Sequence, residues 1–113
     1  MEWTRKKSTK PSEEINVQFD YAGLRFESDM KKALANYKKH GIRFEQACQV
    51  FVDPFVRIVD ATEEDETREA AVGFTEDWTL LFVVHVIRQH GVIRIISARR
   101  ATRAEWREYE DNG

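Results

Sequence analysis

Cysteine, proline and glycine are scarce in this sequence, which has one Cys, two Pro and five Gly among 113 residues. A single cysteine, Cys48, excludes an internal disulfide and favours a reducing compartment. The longest run without a formal charge, residues 78–87, covers ten residues, whereas a membrane-spanning helix needs roughly 20. No apolar stretch follows the basic residues near the start, so nothing there resembles a secretion signal. These absences predict a cytoplasmic protein without a membrane partner.

The composition is that of one globular domain, with 42% hydrophobic and 34% charged residues. A chain of this length buries roughly two thirds of its unfolded surface, so it needs neither a disulfide nor a metal to fold. Residues 1–14 mix basic, acidic, hydroxyl and proline residues without any period, which predicts a flexible leader. We therefore predict a single domain over residues 15–113.

The charge is distributed unevenly, although the net charge is only −2. Residues 88–107 contain six Arg, no Lys and one Glu, whereas residues 60–77 contain eight acidic residues and one Arg. Arginine without lysine favours planar, bidentate contacts to phosphate or carboxylate groups. A solvated charged face is the alternative interpretation.

The first half of the chain predicts strands followed by two helices. Apolar and polar residues alternate over residues 15–26, which is typical of one or two short strands. Ser28 or Asp29 can cap a helix that ends at His40 and Gly41, with basic residues in its last turn. A second, shorter helix begins near Phe44. The apolar positions at helical spacing are Met30, Ala33, Leu34 and Tyr37 in the first helix, and Phe44, Ala47, Cys48 and Phe51 in the second.

The second half predicts a meander of four antiparallel strands, at residues 55–60, 70–74, 79–88 and 92–98. Thr102 and Glu105 have the spacing of a capping box, which predicts a last helix carrying Trp106 and Tyr109 on one side. Helices segregated from an antiparallel sheet make an α+β fold.

No known nucleotide, metal or nucleophile motif is present in the sequence. The three histidines lie far apart, which predicts neither a metal site nor a cofactor. Cys48 falls on the apolar side of a helix and is interpreted as packing, and His85 as a neutral, hydrogen-bonded histidine within a strand. His40 has two interpretations, compensation of the helix dipole or acid–base chemistry.

Strand alternation predicts where the arginines of residues 92–100 point. Arg99 is expected on one face with Ile93, Ile95 and Ser97, and Arg94 and Arg100 on the other. Arg99 and Arg100 therefore cannot share a pocket unless the strand bends. Arg94 lies between apolar neighbours, so it must reach solvent, a ligand or an acid such as Glu45 or one within residues 60–77.

One long block of sequence, residues 93–102 (I-R-I-I-S-A-R-R-A-T), resembles the BrnT ribonuclease toxins of bacterial type II toxin–antitoxin pairs. The K-H-G of residues 39–41 and the F-E-x-A of residues 44–47 support the resemblance in the right order, as do Asp53-Pro54, Glu105 and Tyr109. The similarity covers roughly residues 24–110. The family commonly has F-E-W-D where Phe26, Glu27, Ser28 and Asp29 stand here.

The resemblance implies a RelE-like α+β fold, in which two N-terminal helices pack on an antiparallel sheet of four to five strands and a C-terminal helix follows. It also implies an endoribonuclease that inhibits translation and growth until a cognate BrnA-like antitoxin binds it. In such pairs the antitoxin alone contacts promoter DNA, and two-fold assemblies are common. Matching the family's motifs residue by residue points to His40, Arg68, Arg99 and Arg100 as catalytic and to Lys39 as an RNA contact. The arginine segment adds Arg88, Arg94 and Arg103 as RNA contacts.

The expected reaction is metal-independent attack of the RNA 2′-hydroxyl on the adjacent phosphate. Arg99 and Arg100 would stabilise the developing charge, and His40 would exchange the proton. A non-catalytic basic module that binds a protein or nucleic acid is the alternative function. A degenerate family member that retains only the fold is a third possibility.

Overall fold

A computed structural model describes residues 15–112 of the chain, so the leader predicted for residues 1–14 lies outside the described residues. The elements follow in the order β1 (Asn16–Tyr21), β2 (Leu24–Asp29), α1 (Met30–His40), α2 (Phe44–Ala47), β3 (Arg57–Asp60), β4 (Glu69–Phe74), β5 (Leu80–Ile87), β6 (Ile93–Arg100) and α3 (Arg103–Asn112). A 3₁₀ turn, Cys48–Val52, continues α2. The predicted α+β class is confirmed.

All six strands form one mixed sheet in the order β1-β2-β6-β5-β4-β3. The predicted meander of four antiparallel strands is confirmed as β3 to β6. The predicted total of four to five antiparallel strands is wrong, because the N-terminal hairpin adds two strands and β2 runs parallel to β6. Buried Phe26 of β2 pairs with Ile93 of β6, a contact between distant segments that no local pattern reveals.

The ends of α1 are formed as the sequence predicts. The side chain of Asp29 accepts a hydrogen bond from the Lys32 backbone N–H at 3.2 Å, which satisfies one donor of the first turn. Gly41 adopts the left-handed conformation at φ 72°, and its N–H donates to the Tyr37 carbonyl. The three basic residues of the last turn, Lys38, Lys39 and His40, lie at the negative end of the helix dipole.

Two hydrophobic layers lie on opposite sides of the sheet. Helices α1 and α2 cover the first side, which we call the helix face, and its core contains Phe26, Phe44, Val50, Leu81, Val83 and Ile95. On the other side, which we call the open face, Tyr109 of α3 packs against Val72 and Leu80. Among the described elements only α3 packs on the open face, and Val84 and Val86 beyond it stay partly exposed.

Of the four apolar residues that identify α1 in the sequence, Ala33 packs against the core and the other three are exposed. Leu34 is 62% exposed, and Met30 and Tyr37 are also exposed. The helix instead buries Asn36, whose side chain donates to the carbonyls of Ile42 and Ala98 and accepts from the Ala98 N–H. A buried amide is stable here because three hydrogen bonds satisfy it.

A β-bulge in β6 changes the face on which several side chains lie. His85 pairs with Ile95 but Val84 pairs with Ser97, so Ile96 is the additional residue. Arg99 pairs with Phe82, and Arg94 with Val86, on the open face. The prediction that Arg94 and Arg99 lie on different faces is therefore wrong. Arg100 pairs with Leu81 on the helix face, so the predicted separation of Arg99 from Arg100 is confirmed.

Candidate nucleic-acid interface

The centre of the open face holds an ion pair between Arg94 of β6 and Glu27 of β2. Arg94 Nη1 donates to Glu27 Oε2 at 2.8 Å and to Asn16 Oδ1 at 3.1 Å. Arg94 is only 7% exposed, so its charge requires such partners. The partners predicted for Arg94, Glu45 or an acid of residues 60–77, are wrong because the parallel pairing of β2 with β6 places Glu27 beside it.

A second guanidinium lies beside the same carboxylate. Arg88 follows the last residue of β5, and its Nη1 lies 3.7 Å from Glu27 Oε2. That distance is longer than a hydrogen bond, and the Arg88 side chain is 56% exposed. Glu27, Arg88, Gln89 and Val92 line a cleft of about 340 Å³. This cleft is open to solvent and large enough for a phosphate group.

Arg68 belongs to the same face by register. It precedes Glu69, which pairs with His85 on the helix face, so continued alternation places Arg68 on the open face beside Val86. Since Val86 pairs with Arg94, the Cα atoms of Arg68 and Arg94 are separated by two strand spacings, about 10 Å. Arg68 Nη2 binds Glu66 at 2.7 Å, while its buried Nε has no hydrogen-bond partner.

Arg99 lies on the open face but is held by the chain itself. Its two terminal nitrogens donate to the two oxygens of Glu105, each at 2.9 Å, and the guanidinium lies 4.2 Å from the centre of the Phe82 ring. The hydrogen bond to Glu105 raises the pKa of Arg99. Burial alone would raise the pKa of Glu105, but hydrogen bonds from Arg99 and Thr102 lower it.

The remaining predicted residues lie elsewhere. At the end of α1, Lys39 is exposed and His40 is half-buried. His40 follows Asn36 by four residues, and the side chain of Asn36 is bonded to Ala98 of β6. Arg100 follows Ala98 by two residues. One helical turn and two strand residues place His40 and Arg100 within roughly 15 Å of each other on the helix face. Arg103 is exposed in the first turn of α3.

The eight predicted site residues thus form two groups and two isolated positions. Arg68, Arg88 and Arg94 share the open face, and Lys39, His40 and Arg100 share one end of the helix face. Arg99 also lies on the open face but is bound to Glu105, and Arg103 lies in the first turn of α3, so we count both as isolated. The sequence does not reveal Glu27, because one acid in a short strand carries no signal until the pairing of β2 with β6 is known.

Two other titratable groups have structural roles, as predicted. His85 is buried, its Nδ1 lies 3.1 Å from the Val83 carbonyl, and burial lowers its pKa. Cys48 is buried, and desolvation raises its pKa to about 11. A thiol of this kind is a poor nucleophile near neutral pH.

A cleft near α3 has the opposite character to the one at Glu27. Phe55, Phe74 and exposed Trp78 contribute to a volume of about 500 Å³, and the charged groups that line it are the carboxylates of Asp53 and Glu76. Two carboxylates disfavour a phosphate ligand. Among the described residues, the cluster at Glu27 is therefore the better candidate for binding RNA.

Residues 15–112 contain no group of three or more metal-binding side chains placed to hold an ion. Within the same range, none of the helices has the length and apolarity needed to cross a membrane.

Comparison with known proteins identifies the family. No curated protein matches the sequence. A family model described as "Ribonuclease toxin, BrnT, of type II toxin-antitoxin system" matches residues 28–105. The match covers more than half of the chain and includes α1, the whole β3 to β6 meander and the start of α3. The chain belongs to the BrnT family of ribonuclease toxins of type II toxin–antitoxin systems.

Proposed function

We propose that this protein is a metal-independent endoribonuclease that acts in the cytoplasm, inhibits translation and growth, and is neutralised by a cognate BrnA-like antitoxin. The antitoxin, rather than this chain, would contact promoter DNA, in an assembly with two-fold symmetry. Family membership supports a ribonuclease toxin with an antitoxin partner. The observation that carries the site is the approach of two guanidinium groups, those of Arg94 at 2.8 Å and Arg88 at 3.7 Å, to Glu27 Oε2 on the open face.

The reaction that suits this face is attack of the RNA's own 2′-hydroxyl on the adjacent phosphate. The protein must then supply positive groups for the phosphate charge and a route for one proton. Arginine serves the first need well, because each guanidinium can donate two parallel hydrogen bonds to phosphate oxygens. Arg88 is the more accessible of the two, and Arg94 lies next to it across Glu27.

The remaining site residues stay predictions. Arg99 can reach a phosphate only if its pair with Glu105 opens. His40 and Arg100 can take part only from the other side of the sheet, together with Lys39. Arg103, on the first turn of α3, is a further RNA contact in this proposal.

The decisive experiment is incubation of the purified chain with RNA in the presence and absence of a chelator. We expect fragments with 2′,3′-cyclic phosphate or 3′-phosphate ends in both conditions. RNA that stays intact at every protein concentration, while normal growth continues on high expression of the protein in a bacterium, would contradict the proposed activity. Co-expression of a short neighbouring reading frame that restores growth would identify the antitoxin.

One observation favours the alternative function of a binding module. The apolar stripe of Met30, Leu34 and Tyr37 on α1 is exposed and lies among Lys38, Lys39 and Arg43, with Arg43 against the Tyr37 ring. Such a surface suits a partner segment that is both apolar and acidic. If the chain binds RNA or a protein with strong salt dependence but leaves RNA uncleaved, binding is its function.

A further inference from the structure

Cleavage by the 2′-hydroxyl requires an acceptor for its proton, and the open face contains a carboxylate in a suitable place. The acceptor must lie beside the phosphate-binding groups and have an oxygen that the protein does not already occupy. Three acids are near the arginines of this face, namely Glu27, Glu66 and Glu105. They differ in how their oxygens are used.

Glu105 and Glu66 do not meet these requirements. Both oxygens of Glu105 accept hydrogen bonds from Arg99, and Oε1 also accepts from the Thr102 N–H. Glu66 has an unoccupied oxygen but lies in the wrong place, because it is exposed in the acidic segment before β4, pairs with Arg68 and does not line the cleft beside Arg88. Glu69, the next acid along the chain, lies on the helix face beside His85.

Glu27 meets both requirements. Its Oε2 lies 2.8 Å from Arg94 Nη1 and 3.7 Å from Arg88 Nη1. Within the described part of the chain no hydrogen bond reaches its Oε1. The side chain is 14% exposed and lines the cleft beside Arg88, so the carboxylate is held firmly yet remains in contact with solvent.

We propose that Glu27 is the general base of RNA cleavage by this chain, with Arg88 binding the phosphate that is attacked and Arg94 holding the Glu27 carboxylate in place. This inference rests on the proposed function. In the step, the 2′-oxygen forms a bond to phosphorus while its proton passes to Glu27 Oε1. The bond from phosphorus to the 5′-oxygen breaks, that oxygen takes a proton from water, and the hydroxide ion left behind takes the proton from Glu27. The products are a 2′,3′-cyclic phosphate and a free 5′-hydroxyl.

The geometry explains why base and phosphate contacts occur together. A phosphate bound by Arg88 would lie next to the Glu27 carboxylate, because Arg88 Nη1 is only 3.7 Å from Glu27 Oε2. In RNA the 2′-hydroxyl is attached to the ribose that carries the 3′-phosphate, so a base for it must lie next to the phosphate site. Correct placement of this kind is a large part of catalysis.

The test compares Glu27→Gln with Glu63→Gln, a control that removes one exposed acid from the segment before β4. The probes are a short RNA for cleavage and the same sequence with 2′-O-methyl groups, which cannot react, for binding. We expect Glu27→Gln to lower the cleavage rate by about 10²–10⁴, the usual contribution of a general base. Binding of the methylated RNA should change less than threefold, and Glu63→Gln should cleave like the wild type.

A purely structural Glu27 would give a different result, because damage to the fold would weaken RNA binding and cleavage together. Thermal unfolding of each variant measures that damage directly. If Glu27→Gln does not fold, Glu27→Asp retains the charge beside Arg94 and shortens the side chain by one methylene. We expect a loss of about 10² in rate from this misplacement, and a folded Asp variant with wild-type activity overturns the proposal.

The inference and the proposed function can fail separately. Wild-type protein that cleaves RNA, together with a folded Glu27→Gln variant within threefold of its rate, overturns the role of Glu27 and leaves the ribonuclease in place. Wild-type protein that never cleaves RNA overturns both.

Discussion

The two ends of β6 carry the same kind of ion pair on the same face of the sheet, yet the pairs differ in what they leave available. Arg99 and Glu105 are six residues apart and share two hydrogen bonds of 2.9 Å. Arg94 and Glu27 are 67 residues apart and share one hydrogen bond through Oε2. In the local pair, Arg99 bonds both carboxylate oxygens of Glu105. In the long-range pair, Arg94 bonds only Oε2 of Glu27, which lines a cleft.

The surroundings of the two pairs reinforce this difference. Glu105 also accepts from the Thr102 N–H, and Thr102 Oγ1 accepts from the Glu105 N–H, which completes a capping box at the start of α3. The pair at Arg99 thus attaches a helix to the sheet. The pair at Arg94 has Arg88 as a further cation and no described helix above it. Similar residues are structural in one place and candidate functional groups in the other.

The largest expected effect is that of Arg94→Ala, which removes the buried member of the pair with Glu27. Loss of one partner of a buried ion pair costs about 3–5 kcal/mol of unfolding free energy, and RNA cleavage should fall below detection. Urea denaturation and an RNA cleavage assay measure the two effects. Arg94→Met, which retains most of the side-chain volume, is the matched variant, and full activity in either variant would remove Arg94 from the site.

The corresponding change at the other end of β6, Arg99→Ala, should reduce stability and retain activity. Charge-assisted hydrogen bonds contribute about 1.5–3 kcal/mol each, but Arg99 is partly exposed and solvent reduces this value, so we expect a loss of about 1–2 kcal/mol. RNA cleavage should stay within a few-fold of the wild type. A loss of about 10² in a folded Arg99→Ala variant would instead confirm the predicted catalytic role of Arg99.

The pair at Arg99 should also make stability depend on pH. The pKa of Glu105 is lower in the folded chain than its ordinary value of about 4.3. Its contribution is therefore fully present above that ordinary value and is lost as the pH falls through the lower, folded pKa. Thermal unfolding between pH 6 and pH 2 should show this loss, and Glu105→Gln should make the decline less steep. An identical decline in both proteins would contradict the assignment.

The smallest effects are expected for the group on the helix face. His40→Ala and Arg100→Ala should each change RNA cleavage less than threefold, because the sheet separates both side chains from Glu27. Single-turnover cleavage rates measure this, with Glu27→Gln as the reference for a large effect. A loss of tenfold or more in either folded variant would confirm the sequence-based prediction for that residue and move the site to the other face.

The helix ends and the antiparallel meander could be predicted from the sequence, because the interactions that form them join residues close together in the chain. The caps at Asp29 and Gly41 and the capping box of Thr102 and Glu105 depend on residues a few positions apart, so their patterns are legible in the sequence. The meander of β3 to β6 follows from period and turns. The BrnT resemblance, carried by residues 93–102, was confirmed by the family match.

The candidate site was less predictable, because its causes are not local. The bulge at Ile96 moves Arg99 onto the face of Arg94, and one inserted residue reverses every side chain beyond it. The pairing of Glu27 with Arg94 requires β2 to dock beside β6. The bidentate contact of Arg99 with Glu105 also depends on the face that the bulge assigns to Arg99.

The amino-acid sequence alone determined the helix ends, the antiparallel meander, the concentration of arginine near the C-terminus and the family. Each of these features depends on residues that are close together in the chain. The tertiary structure decided which arginines share a face, which carboxylate each one meets, and which side of α1 is buried. The physical reason is that strand order and register are set by burial of apolar side chains from distant segments, and charged groups then pair with whatever that packing places beside them.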